Sequence, residues 1–361
     1  MGLFDYWRAI SVARAQGSRN FAAALASVAL ARLRLNIGPR YHSLFEFGKR
    51  PLAEWAKYIP DRESNPLIRS VNGLGNIPLA VDKVRFAIHC INNNIPTIRI
   101  LAVVGKFEGK FQEASILREE DDFCDFLRLA PDALFFKAVD GAHGEGAFAA
   151  RRDGPKWSFG GRSGDCRDLF TFIKGRLGAA QVWVVQPLIE AHRELRGVIM
   201  PGLLGTIRAV SYLDGDDVRV ILPVLRIPTV GNSTDNFSEG ANGNIVAPID
   251  LASGRLGRGR MSASRSWPEI VNVVRHPVTG ERIEGLLVPF WEEACSLVIR
   301  AQKTTPMLKT LGWDLAITDS GPIVVEANTG YGVNILQVAY DRGVRNEIMP
   351  IIQLGARRDI Y

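Results

Sequence analysis

Apolar and polar positions change rhythm along this chain. Before residue 80 the apolar residues are Ala-rich and spaced for helices, with breaks at Gly38-Pro39 and between Pro60 and Pro66. From Val81 the pattern sharpens. Asp82-Lys83 opens an amphipathic helix with Val84, Phe86, Ala87, Cys90 and Ile91 spaced for one buried face. Asn92-Asn93-Asn94 ends it, and Ile95-Pro96-Thr97 leads into an apolar strand over residues 98–104. Helices follow over 121–129 and 167–177, and strands over 133–139 and 181–185. Strands then dominate, over 205–213, 218–225 and 244–249, before a helix over 289–303. Two short strands, 314–317 and 322–327, joined by a turn at Asp319-Ser320-Gly321, close the pattern.

Composition narrows the class. At 361 residues, with 47% hydrophobic and 23% charged residues, the chain is an ordinary globular protein with room for two or three subdomains. The apolar run at 21–31 is too short to span a bilayer. It reads as a helix packed on the body or on a partner, with a place at a membrane surface as the lesser alternative. Four scattered cysteines, Cys90, Cys124, Cys166 and Cys295, form no CxxC and no disulfide-like framework, which suits a reducing, cytoplasmic setting. Five histidines without HxH or HExxH spacing argue against a zinc site. The net charge of +6 is modest, and no motif supports nucleic-acid binding. Arg255, Arg258, Arg260 and Arg265 cluster in a Gly- and Ser-rich stretch that reads as a mobile loop, either solvated or clamping an acidic substrate. The acidic run at 214–217 reads as a solvated hairpin tip.

Four stretches carry candidate chemistry. In the last hairpin, alternation puts Glu326 and Asn328 on one face, with Asp314 able to sit opposite them. Three oxygen-bearing side chains suit a hard octahedral cation such as Mg²⁺; the alternative is a hairpin with a polar, solvated face. Lys137 ends a buried strand and precedes Gly141, Gly144 and Gly146, so one ammonium and several amides can surround a polyphosphate. Gln186-Pro187-Leu188, at the end of another strand, offers backbone groups to the edge of a base, and Glu190 or Glu194 could hold ribose hydroxyls. Arg208 and Arg226 sit within apolar strands, where each charge needs a counter-charge or a phosphate.

Taken in order, these stretches resemble the ATP-grasp superfamily, and more closely its sugar-transfer associated branch, from about Val81 onward. Asp82-Lys83 with Ile95-Pro96 is similar to the family's opening, whose lysine reaches the nucleotide phosphates. Phe136-Lys137 with Gly141, Gly144 and Gly146 resembles the segment that closes over the triphosphate, with Ala138 in place of proline. Gln186-Pro187-Leu188 matches the adenine hinge, and Arg208 the arginine facing the transferred phosphate. Asp235-Asn236 with the following glycines resembles the branch's Asp-Asn signature, interrupted by Ala241-Asn242. Gly312-Trp313-Asp314 and Glu326-Ala327-Asn328 match its metal-binding signature.

The resemblance implies an α+β ATP-grasp fold, in which two antiparallel-sheet subdomains enclose ATP, plus an N-terminal helical extension. The expected division is an extension over 1–80, a preceding subdomain over 81–130, a lid with the Gly-rich loop over 131–190, and a metal-bearing subdomain over 191–361. The implied activity is carboxylate–amine ligation through an acyl phosphate, releasing ADP and phosphate. ATP and Mg²⁺ (or Mn²⁺ in its place) would be the cofactors, and a small carboxylic acid, such as a sugar acid or amino acid, and an amine the substrates. Arg208 and Lys137 take the catalytic roles. Lys83, Lys137, the three glycines, Gln186, Leu188, Glu190 and Glu194 take the nucleotide, and Asp314, Glu326 and Asn328 the metal. Arg226, Asn236, Tyr331 and Asn334 are expected near the substrate. The alternatives are a phosphotransferase acting on a hydroxyl and a nucleotide-binding regulatory protein without turnover. No oligomeric state follows from the sequence.

Overall fold

The computed structural model describes residues 2–107, 114–139, 146–176, 182–229, 231–232 and 234–356. Two seven-stranded sheets organise them. The first contains β1 (Ala102–Val104), β2 (Ser115–Leu117), β3 (Ala133–Ala138), β4 (Phe148–Asp153), β5 (Lys156–Phe159), β6 (Arg162–Gly164) and β7 (Trp183–Pro187), in the order β2-β1-β7-β3-β4-β5-β6. It is antiparallel except for the parallel pair β1–β2. The second contains β8 (Thr206–Asp214), β9 (Asp217–Ile227), β10 (Ile245–Pro248), β11 (Gly259–Ser262), β12 (Ile270–Val273), β13 (Thr310–Thr318) and β14 (Gly321–Asn328), in the order β12-β11-β10-β9-β8-β13-β14. This sheet is antiparallel throughout.

Twelve helices, among the described residues, cover these sheets. Seven precede the first strand: α1 (Leu3–Ala15), α2 (Phe21–Leu35), α3 (Pro39–Leu44), α4 (Leu52–Trp55), α5 (Asp61–Asn72), α6 (Ile77–Val81) and α7 (Lys83–Asn92). Next come α8 (Glu120–Leu129) and α9 (Cys166–Arg176), which pack on the first sheet. The last three are α10 (Trp291–Lys303), α11 (Val333–Ala339) and α12 (Arg345–Ala356). None is long and apolar enough to cross a membrane.

Period-2 alternation explains which face each strand buries. In β3, Leu134, Phe136 and Ala138 turn toward α8 and α9, so Phe135 and Lys137 face the other way. In β13, Trp313, Leu315 and Ile317 pack on Ala294, Leu297, Val298 and Ala301 of α10, so Gly312 and Asp314 occupy the opposite face. The acidic hairpin tip is exposed as expected, with Asp214 opposite Asp217 and Gly215 at φ 65°.

Helix α7 begins where the Asp82-Lys83 pattern places it. The Asp82 side chain caps it, accepting from the Val84 and Arg85 amides at 3.0 Å each. Its two apolar flanks serve different cores. Val84 and Ala87 join Val103 and Val184 of the first sheet, while Phe86 and Cys90 join the Trp313 core of the second. The segment after it continues this bridging role. The Val324 amide donates to Pro96 O (2.8 Å), and the Thr97 hydroxyl to Val324 O (2.8 Å).

Several expectations need correction. The strand expected over 98–104 is ordered only at β1, and the one expected over 181–185 runs instead from Trp183 to Pro187. Strands β1 and β2, from the 81–130 segment, share one sheet with those of 131–190. The first 80 residues are helical, but they also complete a core: Phe45, Phe47, Tyr58 and Ile59 pack with Val210, Val224, Tyr331 and Leu336. The arginine-rich stretch is not all loop. Arg260 lies in β11, 2% exposed, paired with Glu46 and with Asp341 (2.6 Å). Arg255 donates to Gly285 O (2.7 Å), and Arg258 lies 3.5 Å from Glu284. Finally, Cys124 of α8 and Cys166 of α9 form a disulfide, their Cα atoms 5.3 Å apart. This removes the cysteine-based reason for expecting a reducing compartment.

Candidate functional site

Strand register assembles the ionic centre. Glu326 of β14 lies opposite Asp314 of β13, which lies opposite Arg208 of β8, so three charged residues share one row on one face. Thr206 and Arg226 form the next cross-strand pair, on β8 and β9. Two irregularities set the phase of this row. In β14 the pairing skips Val325; in a regular ladder Glu326 would sit opposite Trp313 and point into the apolar core. A second shift lies beside Arg208, where β9 carries an extra residue and Leu222 has φ 49°. Gly312 is needed for another reason: a Cβ there would stand 2.2 Å from the Cβ of Tyr331.

Asp314 is the hub, only 1% exposed. Arg208 grips both its oxygens, Nε to Oδ1 at 2.5 Å and Nη2 to Oδ2 at 3.0 Å, and gives Nη1 to Tyr331 O at 2.6 Å. Arg226 Nη2 adds a bond to Asp314 Oδ2 at 2.8 Å and lies 3.3 Å from Asp235 Oδ1. It also donates to the Thr206 hydroxyl. Asp235 Oδ2 accepts from the Thr206 amide (2.8 Å) and hydroxyl (2.6 Å). Burial alone would raise the Asp314 carboxyl, but the two guanidiniums override it and hold it well below the usual carboxylate range. Burial pushes Asp235 up, against the pull of Arg226.

Glu326 and Asn328 stand beside this hub. Asn328 Nδ2 lies 3.4 Å from Asp314 Oδ2 and 3.3 Å from Glu326 Oε1. Burial pushes the Glu326 carboxyl up, and the adjacent Asp314 carboxylate adds to the shift. Adjacent carboxylates that favour a shared proton, with an amide in reach of both, suit a hard divalent cation. The donor set therefore fits Mg²⁺. Among the described residues, no group of three or more His, Cys, Asp or Glu side chains offers an alternative metal site.

The first sheet supplies the opposing charge. Lys83, the first residue of α7, donates to Val139 O at 3.1 Å. Lys137 is half-buried and makes no ion pair among the described residues. Burial lowers its pKa to about 8, helped by the charge of Lys83 and opposed by Glu326 and Asp314. Two ammonium groups close enough to repel, facing a carboxylate pair, fit a polyanion that would relieve both. Gly146 (φ 75°) underlies Trp183, and Arg176 holds its carbonyl at 3.0 Å. Gly141 and Gly144 lie outside the described residues.

The remaining candidates are placed as follows. Gln186 is buried, with its Nε2 on Ile98 O (3.3 Å), and the Leu188 amide extends the sheet by donating to Ala133 O (2.9 Å). Glu190 is exposed, 3.5 Å from Arg196, and exposed Glu194 donates its amide to His192 Nδ1 (3.2 Å). The Asn236 carbonyl accepts from Asn242 (3.0 Å) and Asn244 (2.8 Å). Tyr331 turns its ring into the core and presents only its carbonyl to Arg208. Asn334, at the start of α11, exchanges two bonds with Asp61 of α5, at 2.8 and 3.1 Å.

Sequence reasoning missed the contribution of α5. Asp61 meets Asn334, and the Gly330 position lies against Arg69 and Asn65. Burial raises the Asp61 carboxyl to about 6. The signal in this stretch was faint, since α5 contains Pro66 and its polar face resembles an exposed one. Thr206 and Asp235 were also missed as a unit. The buried charge of Arg226 was the available clue, because it required a nearby carboxylate.

The family model described as sugar-transfer associated ATP-grasp matches residues 62–353. The chain belongs to that family, and its two sheets with mixed helices are the α+β ATP-grasp fold. Among solved structures, a D-alanine–D-alanine ligase from Coxiella burnetii is similar at 12% identity and a TM-score of 0.39, over 78% of this chain and 58% of that one. The Bacillus anthracis D-alanine–D-alanine ligase complexed with ATP gives 13% and 0.38, over 78% and 67%. An L-amino acid ligase from Bacillus licheniformis gives 10% and 0.40, over 77% and 49%. The chain thus spans little more than half the length of the Coxiella enzyme. Comparison with curated proteins found no match.

Proposed function

We propose that the chain is an ATP-dependent carboxylate–amine ligase, acting on a sugar acid or amino acid connected with polysaccharide metabolism. The observation that carries this reading is the pair Lys83–Lys137 facing Asp314, Glu326 and Asn328 across the two sheets. Bringing a carboxylate to the γ-phosphate joins two anions, so fixed positive charge must offset their repulsion. Lys83 and Lys137 would hold the polyphosphate. Asp314, Glu326 and Asn328 would hold Mg²⁺, which when bound offsets phosphate charge.

Arg208 and Arg226 have a second duty. Pinned through Asp314, they keep their guanidinium planes in place before any substrate arrives, so positive charge is aimed without reorganisation. In the reaction, a substrate carboxylate oxygen bonds to the γ-phosphorus and ADP leaves. The amine nitrogen then bonds to the acyl carbon, phosphate leaves, and the nitrogen loses a proton. Residues 131–190 would act as the lid, 191–361 as the metal-bearing half, and 81–130 as the lead into them.

Hydroxylamine trapping tests this. Incubating the chain with ATP, Mg²⁺ and a panel of sugar acids and amino acids should yield an acyl hydroxamate with matching ADP release. ADP release with a phosphorylated hydroxyl and no hydroxamate would establish a phosphotransferase instead.

A further inference from the structure

Helices α1 and α2 lie outside the family-matched residues and bury only one side. Ala9, Ile10, Val12, Ala13, Ala24 and Val28 pack together with Trp267. The opposite side is apolar and open. On α1, Leu3 is 82% exposed and Trp7 55%, one turn apart. On α2, Phe21, Leu25 and Leu33 are exposed along one face, Leu33 at 83%. The Trp7 and Phe21 rings meet at 5.5 Å, which joins the two stripes into one patch. Scattered exposed leucines need no explanation, but a joined aromatic and aliphatic face does.

Charge narrows what can cover it. Residues 1–35 contain five arginines (Arg8, Arg14, Arg19, Arg32, Arg34) and one acid, Asp5. Arg8 lies over the Phe4 ring at 4.6 Å while also reaching Ser266 O (3.4 Å), and Arg14, Arg19 and Arg34 are exposed on the same two helices or the turn between them. A second copy of the chain docked here would bring the same arginines against one another. A surface that is apolar beneath and anionic above accepts both features. We propose that the outer face of α1 and α2 rests on a membrane surface bearing anionic lipid headgroups, with Trp7, Phe21, Leu3 and Leu33 inserted and the arginines at headgroup level.

The test is sedimentation of the full chain with phosphatidylcholine vesicles, with and without phosphatidylglycerol, at low and high salt. The chain should bind the phosphatidylglycerol vesicles and release in high salt. A Trp7→Ser/Leu33→Ser variant should bind about tenfold more weakly or less, because two large apolar groups no longer leave water. Its melting should stay close to the parent's, since Leu33 is 83% exposed and Trp7 gives up only its contact with the Phe21 ring. An Arg14→Glu/Arg34→Glu variant should lose the preference for the anionic vesicles. Absence of vesicle binding by the parent would overturn the proposal. So would undiminished binding by both variants, or a solution dimer that Trp7→Ser/Leu33→Ser converts to monomer without any vesicle binding.

Discussion

The two sheets are held together by different physics. The first is knit by apolar and covalent contacts: Phe123, Phe136, Phe148 and Phe170 in its core, with the Cys124–Cys166 disulfide joining its two covering helices. Its site-facing lysine, Lys137, shares a face with Phe135, Val184 and the buried Gln186. The second sheet has an apolar core too, but its site face is an ion network centred on Asp314, with every guanidinium already engaged. A cation without an ion pair among the described residues thus stands on one side, and guanidiniums pinned by carboxylates on the other.

Perturbing each side tests that division. The largest effect is expected from Arg226→Ala, which leaves Asp314 and Asp235 buried with one counter-ion fewer. Urea denaturation should show a loss of about 3–5 kcal/mol. A loss below 1 kcal/mol, roughly a surface pair's worth, would place the network's role elsewhere. Cys124→Ser should cost about 2–4 kcal/mol without reductant and nothing with it. Equal stability under both conditions would mean that the helices are held by packing alone.

Lys137→Met should behave differently from both. Stability should hold or rise, while calorimetry should show nucleotide affinity falling about 10- to 100-fold, the range for losing a hydrogen bond to a charged group. Its pH dependence has a definite sign. In the folded chain Lys137 loses its proton near pH 8, whereas unfolded it keeps it to about 10.4. Between those values the unfolded chain binds more protons, so this residue makes stability rise with pH. Nucleotide affinity should instead fall above pH 8, and Lys137→Arg should flatten that fall. The smallest change is expected from Glu326→Gln, which removes a like charge opposite Asp314. Stability should rise by about 0.2–1 kcal/mol, while the magnesium dependence of nucleotide binding disappears.

Much of this was legible in the chain because it rests on local rules. The start of α7 at Asp82-Lys83, its amphipathic face and the placing of Glu326 and Asn328 on one face of β14 follow from spacing and alternation. Other features depend on distant residues and left no local trace. Arg260 looks like a loop residue until Glu46, 214 positions away, is brought beside it. Tyr331 sits in a turn, where a ring is expected outside, yet Gly312 makes room for it inside. The skipped Val325 is also silent: nothing in Pro-Ile-Val-Val-Glu says which valine drops out of register.

Helix α7 has a further consequence, for how the molecule comes apart. Phe86 and Cys90 complete one core while Val84 and Ala87 complete the other, along barely two turns of helix. Neither sheet can shed its neighbour without exposing apolar surface on a helix it shares. The two halves should therefore lose structure together in a thermal melt. Separate expression of either half would leave that half short of one wall.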